Sequence, residues 1–94
     1  MNKYESIILV VPNASEEQQK EIENKYSNLI KQNGKLESSE NLGKRKLAYE
    51  IRKNKEGIYI QFYFESESTF IVELERQFRI DDNVMKFIVV KRED

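Results

Sequence analysis

One stretch near the middle of the chain alternates strictly between apolar and more polar side chains. Its apolar members are Ile58, Ile60, Phe62 and Phe64, and the residues between and after them are Tyr59, Gln61, Tyr63 and Glu65. Successive side chains of a β-strand point to opposite faces of the sheet, so this pattern predicts a strand with one buried face. The rest of the chain must therefore supply a layer that covers that face.

The residues before this strand predict a strand, a helix and a second strand. The apolar run Ile7–Pro12 is typical of a central strand that proline ends. Ser15 and Gln18 have the spacing of a capping box, and the helix that they start runs to Gly34. Alternation returns before Ile51 and predicts an edge strand within residues 35–51, with the turn at residues 54–57.

The residues after residue 65 predict a second helix and a last strand. Ser66 and Ser68 are candidate caps for this helix. Its buried stripe is predicted to comprise Phe70, Ile71, Leu74 and Phe78. Asp81 and Asp82 end it, and the Val- and Ile-rich residues 84–91 form the fourth strand.

The resulting order, βαββαβ, predicts an α+β fold of the ferredoxin-like type. Right-handed crossovers place both helices on one face of a four-stranded antiparallel sheet and leave the other face open. The first and third strands are expected at the centre, and the second and fourth at the edges. A chain of 94 residues is expected to form one domain, residues 1–94.

The composition excludes several classes of chemistry. With no histidine and no cysteine, the chain has no imidazole base, thiol nucleophile or usual zinc ligand. The acidic pairs Glu16–Glu17 and Asp81–Asp82 fit helix ends better than metal or acid–base sites. We therefore expect no metal, no cofactor and no small-molecule substrate, and an enzyme would have only carboxylates, tyrosines and lysines for its chemistry. Since the apolar runs are far too short to span a bilayer, we also expect a cytoplasmic protein without membrane contacts.

Charge is unevenly distributed along the chain, although the net charge is only −1. Residues 44–55 contain six cations and one glutamate, and Lys44, Arg45 and Lys46 stand together beside the predicted edge strand. Such charges can protect an exposed edge from aggregation, dock a partner along it, or do both. Lys3, Lys86, Lys91 and Arg92 are expected to lie near one another on neighbouring strands, either as a phosphate-binding patch or as ordinary solvated side chains.

Tyr59 and Tyr63 are expected on the face away from the helices, where they either stack nucleic-acid bases or pack across strands. The sequence around Gly57 departs from the consensus of RNA-recognition domains, which favours cross-strand packing.

Several runs of the sequence resemble the family of bacterial small-subunit ribosomal protein S6. They include Lys3-Tyr4-Glu5, Gly43-Lys44-Arg45-Lys46-Leu47-Ala48-Tyr49, Glu56-Gly57, Leu74-Glu75-Arg76 and Ile80-Asp81-Asp82-Asn83-Val84 with Val89-Val90-Lys91. The similarity extends over nearly the whole chain. Two positions depart from the family pattern, because Glu50 replaces its usual proline and Asn2 its frequent arginine.

The resemblance implies a non-catalytic ribosomal component with two partners. One is small-subunit protein S18, and the other is the central domain of 16S ribosomal RNA. By the same resemblance, Glu40, Lys44, Arg45 and Lys46 would face S18, while Lys3, Lys86, Lys91 and Arg92 would approach RNA phosphates. A homo-oligomeric ligand-binding or regulatory module that uses the open sheet face remains the main alternative, and a small carboxylate-based enzyme is another.

Overall fold

The computed structural model describes residues 1–92 and contains four strands and two helices. Glu93 and Asp94, which complete the predicted domain, lie outside the described residues. The elements are β1 (Asn2–Val10), α1 (Glu16–Asn33), β2 (Gly34–Ile51), β3 (Asn54–Ser66), α2 (Ser68–Ile80) and β4 (Val84–Lys91).

The strands form one antiparallel sheet in the order β2-β3-β1-β4. The predicted ferredoxin-like topology is confirmed, with β1 and β3 at the centre and β2 and β4 at the edges. Nine residue pairs join β1 to β3 in unbroken register from Asn2 opposite Ser66 to Val10 opposite Ile58. This register puts the even-numbered side chains of both central strands on the same face.

Both helices cover that even-numbered face. One continuous cluster of buried side chains contains Tyr4, Ile8 and Val10 of β1, Ile58, Ile60, Phe62 and Phe64 of β3, Ile22, Tyr26 and Ile30 of α1, and Phe70, Leu74 and Phe78 of α2. Full burial of each large apolar side chain contributes about 1.5–3 kcal/mol, so this cluster is the main source of stability. The strand alternation and the helical stripes thus meet in a single core, except that Ile71 is only partly buried at its margin.

The two helices begin in different ways. Ser15 and Gln18 form the predicted capping box, in which the Ser15 hydroxyl accepts from the Gln18 amide and the Gln18 side chain accepts from the Ser15 amide. The predicted caps of α2 are wrong, because its N-cap is Glu67, whose side chain makes no capping bond. Ser66 instead ends β3, where its buried hydroxyl donates to the Glu67 carbonyl.

The turn between β2 and β3 is formed by Arg52 and Lys53, whereas the sequence predicted it at residues 54–57. Both turn residues have positive φ, 51° and 63°, as the two central residues of a tight hairpin turn require. Neither residue is the asparagine or glycine that usually signals such a turn. Asn54 stabilises it by donating from its side-chain amide to the Arg52 carbonyl at 3.2 Å.

The end of this hairpin, Leu47–Lys55, forms an arm that bends across the second face of the sheet. A register shift between Lys46 and Ile51 produces the bend. The Arg52 guanidinium donates to the carbonyl oxygens of Asp82 and Val84 at 3.0 and 3.2 Å, which ties the arm to the start of β4. The prediction of a fully open second face is therefore wrong at this end of the sheet.

Candidate protein- and RNA-binding surfaces

The outer edge of β2 is a long unpaired strand edge that carries three adjacent cations. Among the described strands β2 pairs only with β3, so its outward N–H and C=O groups have no strand beside them. Lys44, Arg45 and Lys46 are all exposed. The backbone groups and the cations together can accept an added strand from an acidic partner.

These three cations do not share one face of the strand. Lys44 pairs with Ile58 and so points to the helix-covered side, and Lys46 shares its parity. Arg45 pairs with Gly57 and points to the opposite face. A strand docked along this edge would therefore meet positive charge on both of its sides.

No carboxylate neutralises this cluster within residues 1–92. None of the salt bridges found there involves Lys44, Arg45 or Lys46. Arg45 makes only weak contacts to the chain itself, from Nε and Nη2 to the Leu42 carbonyl at 3.4 Å each. The charges are available to another molecule.

Glu40, the predicted anionic member of the partner surface, lies farther along β2. It pairs with Gln61 and shares the face of Arg45. The Gln61 amide itself donates to Glu5 and to Tyr63. Glu40 is therefore exposed beside a polar strip that crosses three strands.

Lys3, Lys91 and Arg92 lie together at one end of the β1–β4 pair. The Arg92 amide donates to the Lys3 carbonyl at 2.8 Å, and Lys91 pairs with Tyr4. Because Tyr4 faces the helices, Lys91 points to the helix side of this edge, while Lys3 and Arg92 point to the other face. The predicted neighbourhood is confirmed for these three residues along the strand but is divided between two faces.

The fourth predicted RNA-contacting residue, Lys86, is far from the other three. It pairs with Leu9, five residues along β1 from the Tyr4–Lys91 pair, a separation of about 16 Å at the rise of a strand. The prediction that all four cations are close to one another is wrong, because antiparallel pairing carries the two ends of β4 to opposite ends of β1.

The Arg92 side chain contacts an acidic residue and an aromatic ring of the sheet. Its guanidinium lies 3.1 Å from Glu37 and 4.8 Å from the centre of the Tyr63 ring. The Tyr63 hydroxyl accepts from Gln61 at 3.0 Å. Tyr63 is thus already covered and hydrogen-bonded, as cross-strand packing predicts, and the charge of Arg92 is shared with a carboxylate.

Beneath the arm lies a cavity of about 170 Å³. It is lined mainly by apolar side chains of the sheet and the arm, namely Ile7, Leu9, Leu47, Ala48, Tyr49, Ile51, Tyr59, Phe87 and Ile88, with Lys86 beside them. Tyr59 therefore contributes to this lining. Sequence reasoning missed the cavity, because the register shift that bends the arm leaves no mark in the alternation of β2.

At the rim of this cavity Lys86 donates to the Tyr49 hydroxyl at 2.7 Å. The bond to Tyr49 raises the pKa of Lys86 above its ordinary value. Tyr49 was predicted only as a strand residue, yet 63% of it is exposed. Its exposure follows from the bend of the arm, which strand periodicity cannot show.

Asp81, in the acidic pair at the end of α2, has a structural role. Asp81 accepts from the buried Tyr26 hydroxyl at 2.5 Å, from the Asn83 amide at 2.9 Å and from Lys25 at 3.4 Å. Burial raises the pKa of Asp81, but these three donors outweigh burial and hold the pKa below its usual value. Burial, together with the hydrogen bond to Asp81, raises the pKa of Tyr26.

The described part of the chain shows neither a metal site nor a membrane-spanning helix. Residues 1–92 contain no group of three acidic side chains placed to hold a metal ion. Neither α1 nor α2 is long and apolar enough to cross a membrane.

Comparison with known sequences identifies relatives along nearly the full chain. The model of the family described as ribosomal protein S6 matches residues 3–91. Small ribosomal subunit protein bS6 of Helicobacter acinonychis is 44% identical over 92 residues, covering 97% of this chain and 65% of that protein. The protein of the same name from Heliobacterium modesticaldum is 37% identical over 95 residues, covering 100% of this chain and 99% of its own. The chain thus spans slightly less than two thirds of the Helicobacter relatives, 65% and 66% in two of them.

Solved structures give the same result. The crystal structure of 30S ribosomal protein S6 from Thermotoga maritima superposes with a TM-score of 0.92 at 31% identity, covering 97% of this chain and 87% of that one. An Arabidopsis thaliana protein at 16% identity, with a TM-score of 0.54 over 100% of this chain and 95% of its own, shares the fold alone. As the run from Gly43 to Tyr49 predicts, the chain belongs to the ribosomal protein S6 family.

Proposed function

We propose that this chain is a structural, non-catalytic constituent of the small ribosomal subunit in the cytoplasm, which binds 16S ribosomal RNA jointly with protein S18. Its relatives are named as proteins of that subunit, and the Thermotoga structure is named as a protein of the 30S particle. The whole chain acts in this role as a single domain.

The exposed edge of β2 is the observation that carries the proposal. Its backbone has no neighbouring strand within the described fold, and Lys44, Arg45 and Lys46 have no carboxylate partner there. S18 docks along this edge, where added backbone hydrogen bonds supply affinity and the charges select the partner. Glu40 lies on the same face as Arg45 and provides a contact for a cation of S18.

RNA affinity has to come from both proteins together. The net charge of this chain is −1, and the predicted phosphate contacts are few. RNA binding by cations depends on counterion release, so a handful of contacts gives weak, shallowly salt-dependent binding. When S18 is docked, its contacts add to those of this chain at high effective concentration.

The predicted RNA contacts form two separate groups. Lys3, Lys91 and Arg92 occupy one end of the β1–β4 pair, and Lys86 the other. Two groups about 16 Å apart can contact phosphates on different segments of a folded RNA, given the rise of a strand. The ion pair of Arg92 with Glu37 leaves Lys3 and Lys91 as the stronger phosphate ligands at their end.

A titration of the central-domain fragment of 16S ribosomal RNA tests joint binding. The fragment is titrated with this chain alone, with S18 alone and with both. We expect the pair to bind at least about tenfold more tightly than the better single protein, as linked sites do. Equal affinity with and without S18 contradicts the proposal, and a dimer of the isolated chain that ignores S18 favours the homo-oligomeric alternative.

Charge reversal at the edge tests where S18 docks. In the double variant Arg45→Glu and Lys46→Glu we expect loss of S18 binding without loss of fold, because both side chains are exposed. A double variant with the same charge change on α1, Lys20→Glu and Lys31→Glu, is the matched control. An equal loss of S18 binding in the two double variants would mean that net charge, rather than the edge, determines docking.

A further inference from the structure

Tyr49 is an exposed aromatic side chain on an arm that is anchored at several points. Arg52, three residues farther on, holds the arm to two carbonyls near the start of β4. Asn54 donates to the Arg52 carbonyl and lies 3.3 Å from the Met85 sulfur. The Tyr49 ring is therefore presented to solvent from a fixed position, which lowers the entropy cost of any contact that it makes.

The position of Lys86 leaves the faces of this ring uncovered by the ammonium group. Its Nζ lies 2.7 Å from the Tyr49 hydroxyl oxygen and 5.3 Å from the ring centre. The distance from Nζ to the ring centre is nearly the sum of two lengths, namely from Nζ to the hydroxyl oxygen and from that oxygen to the ring centre. Nζ must therefore lie close to the long axis of the ring, beyond the hydroxyl, and not above a face.

One face of the ring is open to a planar ligand. Tyr49 contributes to the cavity under the arm, yet 63% of the residue is accessible. An aromatic face that is both exposed and held in place is the usual platform for an unpaired RNA base. Indole and phenol rings do this without regard to base identity, because every base has a π-face.

Positive charge lies around the same ring. Lys86 is at its hydroxyl end, and the turn residues Arg52 and Lys53 are exposed at the tip of the arm. None of the three takes part in a salt bridge within residues 1–92. A nucleotide stacked on the ring would place its phosphate within reach of uncompensated cations.

We propose that the open face of Tyr49 stacks an unpaired RNA base and that Lys86 binds the phosphate of the same nucleotide. This inference rests on the proposed RNA-binding function and specifies a mode of contact within it. The end of the sheet that carries Lys86 thus binds a single-stranded loop or bulge by stacking, while the end that carries Lys3 contacts backbone phosphates.

Affinity for the central-domain fragment of 16S ribosomal RNA, with S18 present, tests the stacking contact. Tyr49→Leu keeps an apolar side chain over the cavity but removes the aromatic face, and we expect binding about tenfold weaker. Tyr49→Phe keeps the face and loses only the hydroxyl, so it should bind nearly as the wild type does. Val72→Leu, on the exposed side of α2, is the control for an apolar change elsewhere.

Salt dependence tests the phosphate contact. Lys86→Gln should reduce the slope of log affinity against log salt by about 0.7–0.9, the value for one phosphate. Lys20→Gln on α1 removes the same charge and should leave the slope unchanged. If Tyr49→Leu loses its folded structure, ultraviolet cross-linking of the wild-type complex decides, because stacking predicts an RNA adduct on the tryptic peptide Leu47–Arg52.

The outcomes separate this inference from the function on which it rests. If the wild type binds the RNA and Tyr49→Leu binds it as tightly as Val72→Leu does, the stacking site is overturned. The absence of an adduct on that peptide also overturns it. Either result leaves joint RNA binding in place. Failure of the wild-type pair to bind the RNA removes both proposals.

Discussion

The hydrogen bond between Tyr26 and Asp81 couples the two helices, and removing it should measurably destabilise the fold. Tyr26 is 0% accessible, and the Asp81 side chain is 7% accessible. In Tyr26→Phe the ring keeps its edge contact with Phe78, whose centre lies 4.8 Å away, and loses only the hydroxyl. The hydroxyl lies 2.5 Å from Asp81 and also 3.4 Å from the Gln77 carbonyl. The variant therefore removes chiefly the shorter bond, to a nearly buried carboxylate.

The expected loss follows from the geometry of that bond. At 2.5 Å between oxygens it has the length of a hydrogen bond to an ionised acceptor. Such bonds contribute about 1.5–3 kcal/mol, and because Lys25 and the Asn83 amide remain on Asp81, we expect a loss of about 2 kcal/mol. Urea unfolding followed by circular dichroism should show a midpoint lower by about 1–2 M, given the slopes of small domains.

The effect should depend on pH with a definite sign. The folded pKa of Asp81 is below its ordinary value, so the charged carboxylate stabilises the fold above the unfolded pKa of about 3.9. This contribution is lost as pH falls through the folded pKa. The difference in unfolding free energy between wild type and Tyr26→Phe should therefore be largest at pH 7 and become smaller in acid.

Tyr49→Phe is the matched control, because it also removes a phenol hydrogen bond, the one from Lys86, but at an exposed site. Its loss should change stability by less than about 0.5 kcal/mol. If Tyr26→Phe and Tyr49→Phe unfold at the same urea concentration at pH 7, the bond to Asp81 does not stabilise the fold. A loss of unfolding free energy in Tyr26→Phe that grows as the solution is acidified would equally contradict this role of Asp81.

Two further predictions concern the backbone of β2 and its turn. Gly34→Ala should lower the free energy of unfolding by about 2–3 kcal/mol, because an added Cβ would meet the Glu65 carbonyl oxygen. Gly43→Ala should lower it by only about 1 kcal/mol, because its Cβ would lie in open space and only the positive φ of +88° is unfavourable. Thermal unfolding of both variants checks this, and equal losses would contradict it. Lys53→Gly should raise the free energy of unfolding by about 0.5–1 kcal/mol, because glycine adopts positive φ without strain; a loss of stability in urea unfolding would show that the lysine side chain is needed.

Features determined by local chemistry could be predicted from the sequence. The capping box of Ser15 and Gln18 depends on residues three apart, and the alternation from Ile58 to Phe64 depends on the strand period alone. The βαββαβ order places the second and fourth strands at the edges of the sheet, and the high charge of β2 agrees with an edge position. The cations at residues 44–46 were placed correctly on that edge for the same reason.

Features determined by tertiary contacts could not be predicted. The turn at Arg52 and Lys53 is stabilised by bonds from Arg52 to the carbonyls of Asp82 and Val84, which the local sequence does not encode. The separation of Lys86 from Lys91 follows from antiparallel register, and the exposure of Tyr49 follows from the bend of the arm. Each depends on a pairing between segments distant in sequence.

Hydrogen exchange along β2 tests the docking of S18 at the open edge most directly. Mass spectrometry should be run on the free chain and on the chain saturated with S18. We expect the β2 amides that face away from β3 to exchange quickly in the free protein and to become protected when S18 is added. A stable complex in which exchange of β2 is unchanged, with protection confined to the helices or to β4, would contradict it.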